Sequence, residues 1–201
     1  MGKIVVIGAP GTIGRAAVAA LGKSHEIIDV GASRGTHRVD ATDARSVQTL
    51  FEALGPVDGV VAAFGGVHFG PFEQMTPEHF QHGLRDKLMG QVNVVLIGQP
   101  WVKDGGSFTL TSGITAHQPI RTGTNASAVN MALEGFVRGA AMDLPRRLRI
   151  NLVSPTVLEE SAQAYATYFP GFEPVSSARV GMAYVRSVDG GDTGQIFRVG
   201  Y

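Results

Sequence analysis

Glycine recurs at every third position in Gly8-Ala9-Pro10-Gly11-Thr12-Ile13-Gly14. The apolar, β-branched run Lys3-Ile4-Val5-Val6-Ile7 precedes it and an Ala-rich stretch follows. The chemistry open to such a loop is to hold a pyrophosphate. Glycine lets the backbone turn sharply and lets a charged group come close to it. The first N–H groups of the next helix are free, and they and the helix dipole favour negative charge. A glycine triplet by itself also fits a tight turn with no ligand. The order strand, glycines, helix is what favours the nucleotide.

Those glycines need a frame, and the hydrophobic pattern supplies one. A helix is expected over residues 12–23, with Ile13, Ala16, Ala17, Ala20 and Leu21 on one face. Strands are expected at 26–30, 37–39, 57–64, 107–111, 149–153 and 195–199, in addition to the opening one. Asp43 caps a helix that runs to Leu54, and Thr76-Pro77-Glu78 starts one that runs to about Gly98. A long helix covers 125–144, a last one 178–188, and the segment 156–174 is irregular or short-helical. Strands and helices alternate without a repeat or a change of composition. The pattern predicts an α/β fold: one Rossmann-like domain over 1–201, a doubly wound parallel sheet of about seven strands with helices on both faces. Ligands on such sheets sit beyond the carboxyl ends of the strands. Here those ends are Gly8, Gly31, Asp40, Phe64-Gly65, Ser112 and Ser154-Pro155.

Composition narrows the function. Of 201 residues, 44% are hydrophobic and 17% charged, as in a globular rather than a disordered chain. The net charge is zero, so no nucleic-acid or membrane-surface partner is expected. There is no cysteine, which excludes disulfides, thiolate zinc sites and cysteine nucleophiles, and no metal site is expected. No apolar run is long enough to span a bilayer, and with the first strand expected from Lys3 no leader is expected. A cytoplasmic protein is expected.

Several motifs in order make the chain similar to the short-chain dehydrogenase/reductase family along nearly its whole length. Gly8–Gly14 resembles the family's cofactor loop, and Val39-Asp40-Ala41-Thr42-Asp43 its adenine-contacting stretch. Ala62-Ala63-Phe64-Gly65 stands where the family has Asn-Asn-Ala-Gly. Thr109-Leu110-Thr111-Ser112-Gly113 holds the strand-five serine. Ala132-Leu133-Glu134-Gly135-Phe136 matches the long helix, and Arg149–Pro155 the sixth strand; Val188-Asp189-Gly190-Gly191 is similar to the late glycine turn. The resemblance implies a nicotinamide cofactor held by Gly8, Gly11, Thr12, Ile13, Gly14, Asp40, Ala41, Ala63, Gly65, Asn130 and Pro155. It also implies a small carbonyl or alcohol substrate, with 156–174 as a short lid over it.

The chain departs from the family at the reacting centre. Ala126 and Asn130 occupy the tyrosine and lysine positions of Tyr-x-x-x-Lys, and Lys87 the asparagine position. Of that set only Ser112 remains, and Thr156 replaces the glycine after Pro155. Alanine cannot transfer a proton. Ser112 is expected to orient a carbonyl, and Lys87 to supply the proton once burial lowers its pKa. His68, His117, Tyr165 and Tyr168 are further candidates in loops over the site. The competing expectation is a catalytically inactive NADP(H)-binding protein that acts as a redox sensor or interaction partner. A third is a non-redox enzyme that keeps the cofactor as a structural part.

The end of the second strand selects the cofactor. NAD sites place a carboxylate there for the ribose hydroxyls; NADP sites supply a cation for the 2′-phosphate. Gly31-Ala32-Ser33-Arg34 has no carboxylate, and Asp29 comes two residues early. Ser33 and Arg34 can both bond a phosphate, so NADP(H) is expected rather than NAD. The helix over 125–144 is apolar around much of its circumference, so it is expected to be buried on more than its sheet side. The family resemblance implies that it pairs with the 76–98 helix across a homodimer or homotetramer.

Overall fold

Strand β1 (Lys3–Ile7) sends alternate side chains into two separate cores. In the computed structural model, which describes residues 1–201, Val5 and Ile7 face one side and Ile4 and Val6 the other. All four are buried. A strand apolar on both faces belongs in the middle of a sheet covered twice. It is an interior strand, third in a seven-stranded parallel sheet ordered β3-β2-β1-β4-β5-β6-β7. The other strands are β2 (Glu26–Gly31), β3 (His37–Arg38), β4 (Val57–Ala62), β5 (Val102–Thr111), β6 (Arg149–Pro155) and β7 (Ile196–Val199).

Helix α1 (Thr12–Leu21) and helix α7 (Ser177–Asp189) cover one face. Ala17, Leu21, Val180, Tyr184 and Val188 fill that core. Helices α2 (Ala44–Leu54), α4 (Gly90–Gly98) and α5 (Thr124–Asp143) cover the other, with Phe51, Val94, Val95, Leu133 and Val137 inside. Each fully buried side chain of this size contributes roughly 1.5–3 kcal/mol. The doubly wound sheet expected from the sequence is the observed fold. Asp43 caps α2 by accepting from the Arg45 N–H. Thr76 and His79 form a capping box on α3 (Pro77–Gly83).

Two elements differ from expectation. The helix expected over 76–98 is three pieces: α3, a wide π-turn at Leu84–Met89, and α4. Its ends are pinned by close approach, Gly83 against the Asn125 amide and Gly90 against the Phe64 ring. The wide turn takes up the spacing between these anchors. Strand β5 starts at Val102, five residues early, because Val102 already pairs with Val57 of β4; the register then breaks, the chain passes Gly105 and Gly106 as a bulge, and pairing resumes at Ser107 opposite Gly59. The segment 156–174 holds a short helix α6 (Ala162–Tyr165), in keeping with the irregular or short-helical expectation, and Leu158 bridges to Val175 across its base. No helix is long and apolar enough to cross a membrane.

Candidate active site

The glycine turn comes first. Gly8 adopts φ +89°, and a Cβ there would overlap the Ala63 carbonyl; a Cβ on Gly14 would overlap the Gly8 carbonyl. Only glycine lets β1 end, turn and start α1 in this space. Gly11 donates to the Gly8 carbonyl at 2.9 Å and Arg15 to the Gly11 carbonyl at 2.9 Å. The intervening N–H groups of Thr12, Ile13 and Gly14 have no backbone acceptor. They are three free donors at the positive end of a helix dipole.

A cleft of about 330 Å³ opens beside this turn at the carboxyl ends of β4, β5 and β6. Of the residues singled out from sequence, Thr12, Ile13, Gly65, Lys87, Ser112, Asn130, Pro155 and Tyr165 line it. Gly8, Gly11, Gly14 and Ala63 form the turn and strand end beside them. Ser33, Arg34 and Asp40 lie outside, exposed beyond the ends of β2 and β3, with Ala41 buried behind Asp40. Asp40 Oδ1 accepts from both the N–H and the hydroxyl of Thr42, and the Thr42 bonds hold its carboxyl below the usual range.

Lys87 sits in the π-turn. Gly65, at φ +118°, lies so close that an added Cβ would meet Lys87 Cα, Cβ and Cγ at 2.6 Å. Lys87 is partly buried, and its Nζ donates to the Ser112 carbonyl oxygen at 3.3 Å. Loss of solvent pulls its pKa down to about 8. The Ser112 hydroxyl turns away and donates to the Asn130 carbonyl at 3.0 Å. Asn130 Nδ2 donates to Thr115 Oγ1 at 2.7 Å, while Asn130 Oδ1 is buried with no donor. Thr156 Oγ1 is buried without a partner as well. Gln91 clamps the strand ends beneath, donating to the Phe64 and Thr111 carbonyls and accepting from the Thr111 N–H.

The two loop histidines do not come to the cleft. His68 stacks on His79 with ring centroids 4.3 Å apart. His117 pairs with the buried Glu134 at 2.8 Å and meets Arg198. Tyr168 packs on Phe69 at 5.1 Å, away from the wall, while Tyr165 and Phe169 line it from the lid. Ala126 is a buried part of the wall, so the position expected to have lost a tyrosine is filled by space and apolar surface. Sequence reading missed Thr115, which fixes the Asn130 amide. Nothing in its local pattern signals that contact.

The residues present fit a nicotinamide dinucleotide. The three free N–H groups suit a pyrophosphate. The orphaned Asn130 Oδ1 and Thr156 Oγ1 are polar atoms at the cleft that a ligand's hydroxyl or amide groups would satisfy. No group of three or more His, Cys, Asp or Glu side chains is placed to hold a metal ion.

Comparison with known proteins gives three relationships. Residues 12–192 match the family model described as enoyl-(acyl carrier protein) reductase. The structure is similar to that of the protein lin1944 from Listeria innocua, with a TM-score of 0.97, 42% identity, and coverage of 98% of this chain and 99% of that one. The same fold is found in a small-chain dehydrogenase in complex with NADPH, at TM-score 0.84 and 22% identity, over 98% of this chain and 95% of that one. Among curated proteins, a short-chain dehydrogenase/reductase from Pestalotiopsis microspora is 28% identical over 156 residues, covering 74% of this chain. The chain spans 59% of that relative's length.

Proposed function

The chain belongs to the short-chain dehydrogenase/reductase family, and on that premise we propose that it is an NADP(H)-dependent oxidoreductase acting on a small carbonyl or alcohol. The observation that carries the reading is the convergence of Lys87 and the Ser112 strand end on one cleft with the free N–H groups of α1. The nicotinamide supplies or takes the hydride when bound. Thr12, Ile13 and Gly14 hold the pyrophosphate through their N–H groups, and Asn130 Oδ1 accepts from a ribose hydroxyl. Ser33 and Arg34, exposed beyond β2 with no carboxylate beside them, bind the 2′-phosphate. That selects NADP(H) over NAD, and the NADPH in the small-chain dehydrogenase of the same fold agrees with it.

Lys87 does what the absent tyrosine would do. With a pKa of about 8 its ammonium can give up a proton near neutral pH. The Ser112 carbonyl orients it. Gly65 leaves room for the lysine stem, and the aromatic lid of Tyr165 and Phe169 keeps water from the reacting carbonyl. The test is a panel of small carbonyls and alcohols with NADPH and NADP at several pH values, on the wild type and on Lys87→Met. Turnover that needs Lys87 supports the proposal.

A second reading has its own observation: Ala126 and Asn130 replace both members of the family's proton-transfer pair. On this reading the protein binds NADP(H) without turning it over and serves as a redox sensor. Tight NADPH binding with no turnover across the whole panel would favour it.

The protein acts as a single domain with residues 156–174 as its lid, in the cytoplasm, and as a homodimer or homotetramer. Support for assembly is the outer face of α4 and α5. Leu96 is 55% exposed and Met131 44%, and an added Cβ at Gly135 or Gly139 meets nothing within 4 Å. A second copy would cover this stripe. Sedimentation that shows a monomer at micromolar concentration would overturn it.

A further inference from the structure

Lys87 carries the only formal charge on the wall of the cleft. An ammonium has three N–H donors. The Ser112 carbonyl takes one, at 3.3 Å, which leaves two for a ligand. The Ser112 hydroxyl donates to the Asn130 carbonyl and the Asn130 amide to Thr115, and the unpartnered Thr156 hydroxyl carries no charge, so Lys87 alone can neutralise an anion. No carboxylate lines the cleft, so nothing in the protein balances the charge. A desolvated cation without a counter-ion is costly, and an anionic ligand removes the cost.

One part of the wall is apolar and aromatic, built from Phe69, Ile114, Leu158, Tyr165 and Phe169, and the polar remainder is uncharged. Phe169 packs edge-on against Phe172, and Phe69 against Tyr168, so this surface is a braced patch rather than isolated rings. A cleft of about 330 Å³ is at the small end for ligand sites. As the only charged group on the wall, Lys87 serves two purposes, the reacting carbonyl oxygen and any negative charge the ligand brings. A 2-oxo acid meets that requirement. Its keto oxygen and one carboxylate oxygen can lie on the same edge, within reach of the two free donors of a single ammonium.

We infer that the substrate class of this cleft is a 2-oxo acid with an apolar, aromatic-sized side chain, and its 2-hydroxy acid in the reverse direction. This rests on the proposed oxidoreductase reading. In the reduction, C2 accepts a hydride from NADPH and the carbonyl π pair moves to its oxygen. That oxygen takes a proton from the Lys87 ammonium, and the neutral amine regains one from solvent. The carboxylate is unchanged. The products are the 2-hydroxy acid and NADP⁺.

The experiment separates cofactor from substrate. NADPH binding is measured first, alone, by its fluorescence; no binding there sinks the oxidoreductase reading. Phenylpyruvate is then compared with phenylacetone, which has the same skeleton but lacks the carboxylate. The expected result is a kcat/KM at least about 100-fold higher for phenylpyruvate. Thermal shifts with 3-phenyllactate and with 1-phenyl-2-propanol, with and without NADP⁺, give a second readout. Only the acid should stabilise the wild type, and that stabilisation should vanish in Lys87→Met. Phenylacetone turned over as well as phenylpyruvate would overturn the inference. So would equal stabilisation of Lys87→Met and wild type, or no stabilisation by the acid in a protein that binds NADPH.

Discussion

Lys87 reaches the carbonyl oxygen of Ser112 at 3.3 Å, while the hydroxyl of the same serine is turned to the Asn130 carbonyl at 3.0 Å. The two groups therefore meet through the backbone. Ser112→Ala should cost about 1 kcal/mol in stability, the worth of one buried hydrogen bond, and less than about tenfold in turnover. Lys87→Met should cost turnover about 100-fold or more, the range for a lost proton donor. Steady-state kinetics beside urea denaturation checks the ranking. A larger kinetic loss in the serine variant would move the proton donor away from Lys87.

Burial lowers Lys87 from the ordinary value of 10.5 to about 8. Between these values the unfolded chain binds the proton and the native one does not, so stability rises with pH across that window. Below about pH 8 both states are protonated and the full penalty is present. Lys87→Met should thus be more stable than wild type at pH 7, by about 1–3 kcal/mol after allowing for the part of the side chain that stays solvated. The gap should shrink as pH approaches 10.5, which denaturation at pH 7 and pH 10 can follow. Carbonyl reduction should fall as pH rises through about 8 if, as proposed, the donor is the Lys87 ammonium.

Gly65 supports Lys87 at van der Waals distance and at positive φ. Gly65→Ala should destabilise by about 2 kcal/mol or more and displace the lysine. Its signature is loss of the pH-8 transition in turnover while NADPH still binds at α1. An unchanged pH profile would show that the contact is dispensable.

Arg34 is exposed and makes no ion pair. Arg34→Ala should leave the melting temperature alone. It should weaken NADPH by about 10- to 100-fold, as loss of a charge-assisted bond requires, and leave NADH affinity unaltered. Titration with both cofactors tests this. Equal losses for the two would place the 2′-phosphate elsewhere.

Glu134 is 1% exposed at its side chain and depends on His117 at 2.8 Å, with Arg138 at 3.6 Å from its other oxygen. His117→Ala strips a partner from a buried carboxylate. A loss of about 2–4 kcal/mol in denaturation is expected. A neutral result would mean that Arg138 and water compensate.

The opening strand, the glycine turn and the alternation of elements could be read from sequence because each depends on neighbours in the chain. A β-branched run, a glycine at the turn and an apolar stripe at helical spacing carry their own physics. The same holds for α2, whose cap and buried face are written in Asp43 and Val47, Leu50, Phe51 and Leu54. The π-turn was not legible, since its wide geometry comes from anchors on other elements, Gly83 on Asn125 and Gly90 on Phe64. The early start of β5 was hidden for a like reason: Gly105 and Gly106 read as a loop, and only the pairing of Val102 with Val57 of β4 carries the strand across them as a bulge.

By itself the sequence determined the sheet, its two covered faces and the glycine turn after its first strand. It also pointed to Lys87 and Ser112 as residues to watch. Tertiary structure alone decided that Lys87 faces the Ser112 carbonyl rather than its hydroxyl. It decided too that His68 and His117 turn to other partners, and that Asn130 Oδ1 and Thr156 Oγ1 are left without one. The division has one physical cause. Local pattern and propensity act over a few residues, whereas the direction of a side chain and its loss of solvent depend on atoms contributed by distant strands and helices.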